Sequence, residues 1–264
     1  MSSLVAAAAL LALAAPIAGP AGRLYVDDGG RGGVPVVFVH SFAGSGGHWA
    51  AQLAHLRSSR RAVALDLRGH GRSQAPAPRG YTVDGLAADI AAVVDGLGLK
   101  RFVLVGHSMG GAAATAYAGA HPDRVAGLVL VGTPGKSPPE QASQILASME
   151  ADYDKVTEGY WTKLLGGAQP GVAGRVRSDM KKLPRAPSME IMKAIFAYDP
   201  LPALQAYPGP KLIVDTPHGE GPGSLHSLAP EIPRKVITGT SHWPHMDKPE
   251  EFNGILDGFL ETVR

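Results

Sequence analysis

Cysteine is absent from the 264 residues. That removes a disulfide framework, a thiolate nucleophile and a cysteine-ligated zinc site together. Charge is sparse as well: charged residues make up 18% of the chain, the formal net charge is +2, and no more than two like charges stand in a row. Nucleic acid needs a basic stripe to neutralise phosphates, and none is present. The His-Glu-x-x-His spacing of a metalloprotease is missing too, so no metal or organic cofactor is expected. No charged residue precedes Arg23, and residues 4–15 form an unbroken apolar run. The run is too short to span a bilayer, so no stable membrane span is expected. It reads as a secretory signal without its positive leader, or as a segment of a cytoplasmic protein lying against the first strand.

What the chain has in quantity is glycine and proline, 34 and 22 residues, placed at plausible turns, within a composition that is 45% hydrophobic. This is a globular chain long enough for one large buried core. Short apolar runs at 34–40 (VPVVFVH), 61–67, 101–106, 125–132, 211–215 and 234–239 are too short for helices. They lack polar alternation, as strands covered on both faces do. Between them, Leu86, Ile90, Val93, Val94 and Leu97 fall on one helical face, as do Phe252, Ile255, Leu256, Phe259, Leu260 and Val263 after a helix-starting Pro249. The fold class is therefore α/β, a mostly parallel central sheet wrapped by helices.

The rhythm breaks from Pro134 to Leu201, where no strand-like run appears. A structureless loop of that length would be unusual, so residues 135–200 are expected to form a helical cap inserted into a core made of 1–134 and 201–264. Its Met149, Tyr153, Tyr160, Trp161, Met180, Met189, Met192 and Phe196 mostly pack the cap on the core. Some of them should line a substrate pocket.

Gly106-His107-Ser108-Met109-Gly110 joins the apolar run RFVLV to a helix of small residues at 111–120. A serine flanked by small residues at a strand-to-helix corner sits on a sharp turn, where larger residues at 106 and 110 would strike neighbouring backbone. The helix start behind it offers free N–H groups to a developing oxyanion. Ser108 is the candidate nucleophile. Of the ten histidines, His242 lies in the loop after the last strand, where the base of such a site belongs. His245 is its rival three residues on, better read as packing beside the site.

The segments VVFVHSFAGS (36–45), DLRGHGRS (66–73), LVGHSMGG (104–111) and GTSHWPHMDKPEEF (239–252) together resemble the α/β-hydrolase superfamily, in particular its small esterases, lipases and cofactor-free haloperoxidase-like members. The resemblance runs from about residue 22 to the C-terminus. It implies an oxyanion hole from the backbone N–H groups of Phe42 and Met109, and a structural role for the DLRGHGRS loop. The chain departs from the family in carrying Ser41 after His40, where glycine is usual. It departs again where an aspartate is expected after the strand KLIVD. Glu220, in the loop, is the favoured orienting acid because a loop carboxylate can swing toward His242; Asp215, at the strand end, stands 27 residues before His242 and is the alternative. The expected activity is cleavage of a small-molecule ester or similar acyl compound through Ser108, His242 and Glu220, with an acyl-enzyme intermediate. Perhydrolase, lactonase or C–C hydrolase chemistry at the same residues, or a non-catalytic binding protein on this scaffold, are the other readings.

Overall fold

The computed structural model describes residues 16–76 and 80–263, so the expectations for the apolar run 4–15 lie outside the described residues. The described residues form nine strands: β1 Ile17–Gly19, β2 Gly22–Leu24, β3 Val26–Gly29, β4 Val36–Val39, β5 Ala62–Leu65, β6 Phe102–His107, β7 Val125–Val131, β8 Lys211–Asp215 and β9 Arg234–Val236. The first two form a separate antiparallel hairpin. The other seven make one sheet in the order β3-β5-β4-β6-β7-β8-β9, parallel except where β3 pairs antiparallel with β5.

The absence of polar alternation has a direct cause. Alternate residues of the inner strands enter two different apolar cores: Val37, Val39, Leu104 and Leu128 face one, Val36, Phe38, Val103 and Val129 the other. Helices Val83–Gly96 and Met109–Ala120 cover the first face, and Ala50–Leu56 and Pro249–Thr262 the second. Thr82 caps its helix by accepting the Gly85 N–H at 3.0 Å, the usual satisfaction of a free first-turn donor. The closing helix buries Phe252, Leu256, Phe259, Leu260 and Val263.

The six strand-like runs each hold a strand. The edge strand β3 was not foreseen: its sequence VDDG is polar because Asp27 and Asp28 pair at the rim with Arg57 and Arg61, both at 2.7 Å. Between β7 and β8 the described residues form helices Pro139–Ala151, Tyr153–Leu164, Pro170–Met180, Arg185–Ala197 and Leu201–Ala206, with no strand among them.

Candidate active site

Ser108 follows β6 directly and precedes helix Met109–Ala120. Its backbone has φ 51° and ψ −116°, a region that residues with a side chain rarely occupy. The turn is held on three sides. The Ser108 N–H donates to Val131 O at 2.8 Å, and its carbonyl accepts from Gly111 and Ala112 at 2.8 and 3.1 Å. The flanking glycines are sterically required. A Cβ on Gly106 would stand 2.4 Å from Gly110 O, and one on Gly110 would stand 2.4 Å from His40 O. Ser108 itself stays partly exposed.

The parallel register ends with His107 opposite Val131, and the Ser108 N–H bonds Val131 O, so Ser108 and Gly132 leave the sheet at the same edge. The His242 ring lies against Gly132. A Cβ there would meet its Cε1 at 2.9 Å and its Nδ1 at 3.2 Å, and Gly132 has φ +48°. Glycine at 132 thus leaves room for the imidazole, whose ring also stands 4.9 Å from that of His107. The His242 main chain is fixed from both sides: its N–H donates to Leu164 O at 2.9 Å, and its carbonyl accepts from His107 Nε2 at 2.8 Å. Burial pushes the His242 pKa down to about 4, helped by the nearby His218, so the ring is neutral and basic at neutral pH. Neither the Ser108 hydroxyl nor the His242 ring holds a hydrogen bond among the described residues. Such catalytic hydrogen bonds often tighten only around substrate.

Met109 opens its helix, so its N–H has no intrahelical acceptor. Phe42 N–H likewise has no backbone acceptor among the described residues. The loop before it is braced by His40, whose Nδ1–H donates to Ser41 O at 2.7 Å and whose Nε2 accepts the Leu67 N–H at 3.0 Å. Burial holds this imidazole down to about 3, so it works as a neutral strut. The Ser41 side chain is buried, and its hydroxyl has no partner.

The two carboxylates considered for the triad both meet Arg234. Asp215 accepts from Arg234 Nε at 2.9 Å, and Glu220 from Nη2 at 3.2 Å. Asp215 is buried, which raises its pKa while Arg234 pulls it back; the Glu220 side chain is 61% exposed. The described contacts join neither to His242. His245 is fully buried, stacked on Trp49 at 4.0 Å with its ring nitrogens unpaired, and packs rather than competes for the base position.

Two contacts had no signal in the sequence. His48 Nε2 meets the buried Asp179 at 3.0 Å and joins the turn after the Phe42 loop to helix Pro170–Met180. Burial alone would raise the Asp179 pKa, but hydrogen bonds from His48, Lys182 and Arg175 bring it well below the usual range. Asp247 accepts from Ser241, the residue before His242. Above the Phe42 loop, the Trp161 ring lies between Phe42 and Trp243, stacked at 5.8 Å from each. A cavity of about 240 Å³ adjoins Phe42 and Trp161 and continues to Tyr153, Met180, Leu183 and Ser188.

A family model described as alpha/beta hydrolase fold matches residues 34–159, the stretch that carries the Phe42 loop and the Ser108 turn. The chain has the α/β-hydrolase fold. It superposes on Est816, an N-acyl homoserine lactone degrading enzyme, with a TM-score of 0.82 at 27% identity, covering 93% of this chain and 100% of that one. A thermophilic esterase from Thermogutta terrifontis gives 0.80 at 27% identity, with 94% and 98% covered. Epoxide hydrolase 3 of Xenopus tropicalis is 27% identical over 90% of this chain and 74% of its own length. Three further matches, at 40–46% identity, span only 31–39% of the length of the curated relatives concerned.

Proposed function

We propose that this α/β hydrolase cleaves carboxylic esters or lactones by acyl transfer. The observations that support the reading lie at one edge of the sheet: a serine in a strained turn at a helix start, and a buried imidazole over Gly132 whose ring stands 4.9 Å from that of His107, the residue before the serine. His242 takes the Ser108 proton, the alkoxide attacks the acyl carbonyl, and the N–H groups of Phe42 and Met109 hold the oxyanion. The proton then passes to the leaving alcohol, and water activated by the same imidazole releases the acid from the acyl-enzyme. Glu220 is the proposed orienting acid. It would reach the imidazole by turning away from Arg234, which its exposure permits. The helices between β7 and β8 act as the cap, and the cavity behind Trp161 receives the acyl group.

The likeness to the lactone-degrading Est816 and to the thermophilic esterase favours ester and lactone substrates. Epoxide hydrolases of this fold attack through an aspartate, and the serine at 108 speaks against that chemistry here. The test is hydrolysis of p-nitrophenyl acetate and of an acyl lactone by purified Ser108→Ala and His242→Ala, with a fluorophosphonate probe on the native enzyme. Both variants should lose on the order of 10⁴–10⁶ in turnover, and the probe should label Ser108 stoichiometrically. Substantial turnover by Ser108→Ala, or an inert Ser108, removes the reading; an inert serine would point instead to a binding protein on this scaffold. Glu220→Gln should lower kcat more than Asp215→Asn does if Glu220 is the acid.

A further inference from the structure

Among the described residues no carboxylate bonds the His242 ring, yet the peptide groups around it are engaged. Three successive N–H groups each find an acceptor. Ser241 N–H donates to Asp247 Oδ2 at 2.8 Å, His242 N–H to Leu164 O at 2.9 Å, and Trp243 N–H to Ser241 Oγ at 3.1 Å. The Ser241 hydroxyl donates to the same Asp247 Oδ2 at 2.5 Å. The other oxygen, Oδ1, accepts the N–H of Gln169 at 2.7 Å. Gln169 precedes helix Pro170–Met180, and Leu164 ends helix Tyr153–Leu164. The turn between those helices therefore binds the histidine loop through Leu164 and Gln169, and Asp247 closes the connection from below. The approach is close: a Cβ on Gly167 would stand 3.0 Å from Thr240 O, and Gly167 has φ +84°. Asp247 is buried, so its oxygens have little access to water as alternative partners.

We propose that Asp247 is a positioning residue for His242, clamping the histidine loop and the 164–169 turn into one unit so that the imidazole keeps its place over Gly132 only while the insertion is docked. The proposal rests on His242 being the base, as above. It adds, through main-chain contacts, a positioning of the loop to the orienting of the ring that a triad carboxylate performs. The carboxylate suits this work because all three of its partners are donors and both oxygens accept. In Asp247→Asn the amide nitrogen must face a donor on one side, which breaks the clamp without changing its volume.

The experiment measures kcat and KM for a short ester, and the fluorophosphonate labelling rate of Ser108, in Asp247→Asn and in Gln169→Pro. Gln169 has φ −61° and ψ 143°, which proline adopts, so the second substitution removes the N–H that Oδ1 accepts without forcing the backbone at 169. Asp247→Asn should lose about 10²-fold in kcat, the cost of a small misplacement of a reacting group. KM should stay within threefold, and labelling should slow in parallel. Gln169→Pro should lose at least threefold in kcat, again without a matching rise in KM. A folded Asp247→Asn with kcat within twofold of the native enzyme overturns the proposal, and so does a loss confined to KM. Should Asp247→Asn fail to fold, unchanged kcat in Gln169→Pro overturns it. Full turnover in Ser108→Ala would instead sink the catalytic reading beneath, so the two failures are distinguishable.

Discussion

The ionisation of His242 offers the sharpest quantitative test. Burial first, and His218 after it, push its pKa down to about 4. A lowered pKa keeps the imidazole in its proton-accepting form to lower pH. At pH 5.5 a group of pKa 4 is about 97% neutral, whereas an unperturbed histidine is about 9% neutral. The acid limb of kcat/KM, which reports the free enzyme, should therefore inflect near pH 4. The assay is release of the alcohol from a water-soluble acetate ester, quantified by chromatography between pH 3.5 and 8. Stability must be followed in parallel. Burial also holds His40 and His70 down to about 3. A histidine with a depressed folded-state pKa leaves stability intact above its unfolded value and erodes it as pH falls toward the folded one. For each of the two the loss is about 2 kcal/mol at pH 5. Fluorescence from the buried Trp49, Trp161 and Trp243 separates unfolding from titration. A reversible limb near pH 6.5 or above, with the fold intact, refutes the reasoning. It would mean that a carboxylate already sits on the ring in the free enzyme.

Two further substitutions probe the turn and the cavity. Gly110→Ala drives a Cβ to 2.4 Å from His40 O and 2.6 Å from Val39 O, both backbone atoms that cannot rotate away. It should cost about 1–3 kcal/mol as overpacking and lower the melting midpoint by several degrees in a thermal scan, and a neutral result would show that the turn is looser than drawn. Trp161→Ala removes the ring stacked between Phe42 and Trp243 and should raise the octanoate-to-acetate ratio of kcat/KM at least tenfold, the effect of a few accommodated methylenes. An unchanged chain-length profile across p-nitrophenyl esters would place the acyl group elsewhere.

Some of this protein could be read directly from its residues. Val36–Val39 announces a strand covered on both faces because alternate side chains enter two apolar cores, and burial on both faces leaves a pattern in the sequence itself. Gly106, Ser108 and Gly110 announce the turn because sterics act over four residues, and the collisions expected of larger side chains there are the ones found. The edge strand β3 escaped notice because its aspartates are satisfied by arginines about 30 residues away, which reverses the apolar signature of the inner strands.

Local sterics and burial thus let the amino-acid order determine the sheet and the sharp corner at Ser108. Only the folded chain decided that Arg234 gathers both Asp215 and Glu220, that His48 meets Asp179 across 131 positions, and that Asp247 links Ser241 to Gln169. The reason is that a charged side chain's choice of partner depends on which groups are buried beside it. Chain order leaves that proximity open until the insertion has docked on the sheet.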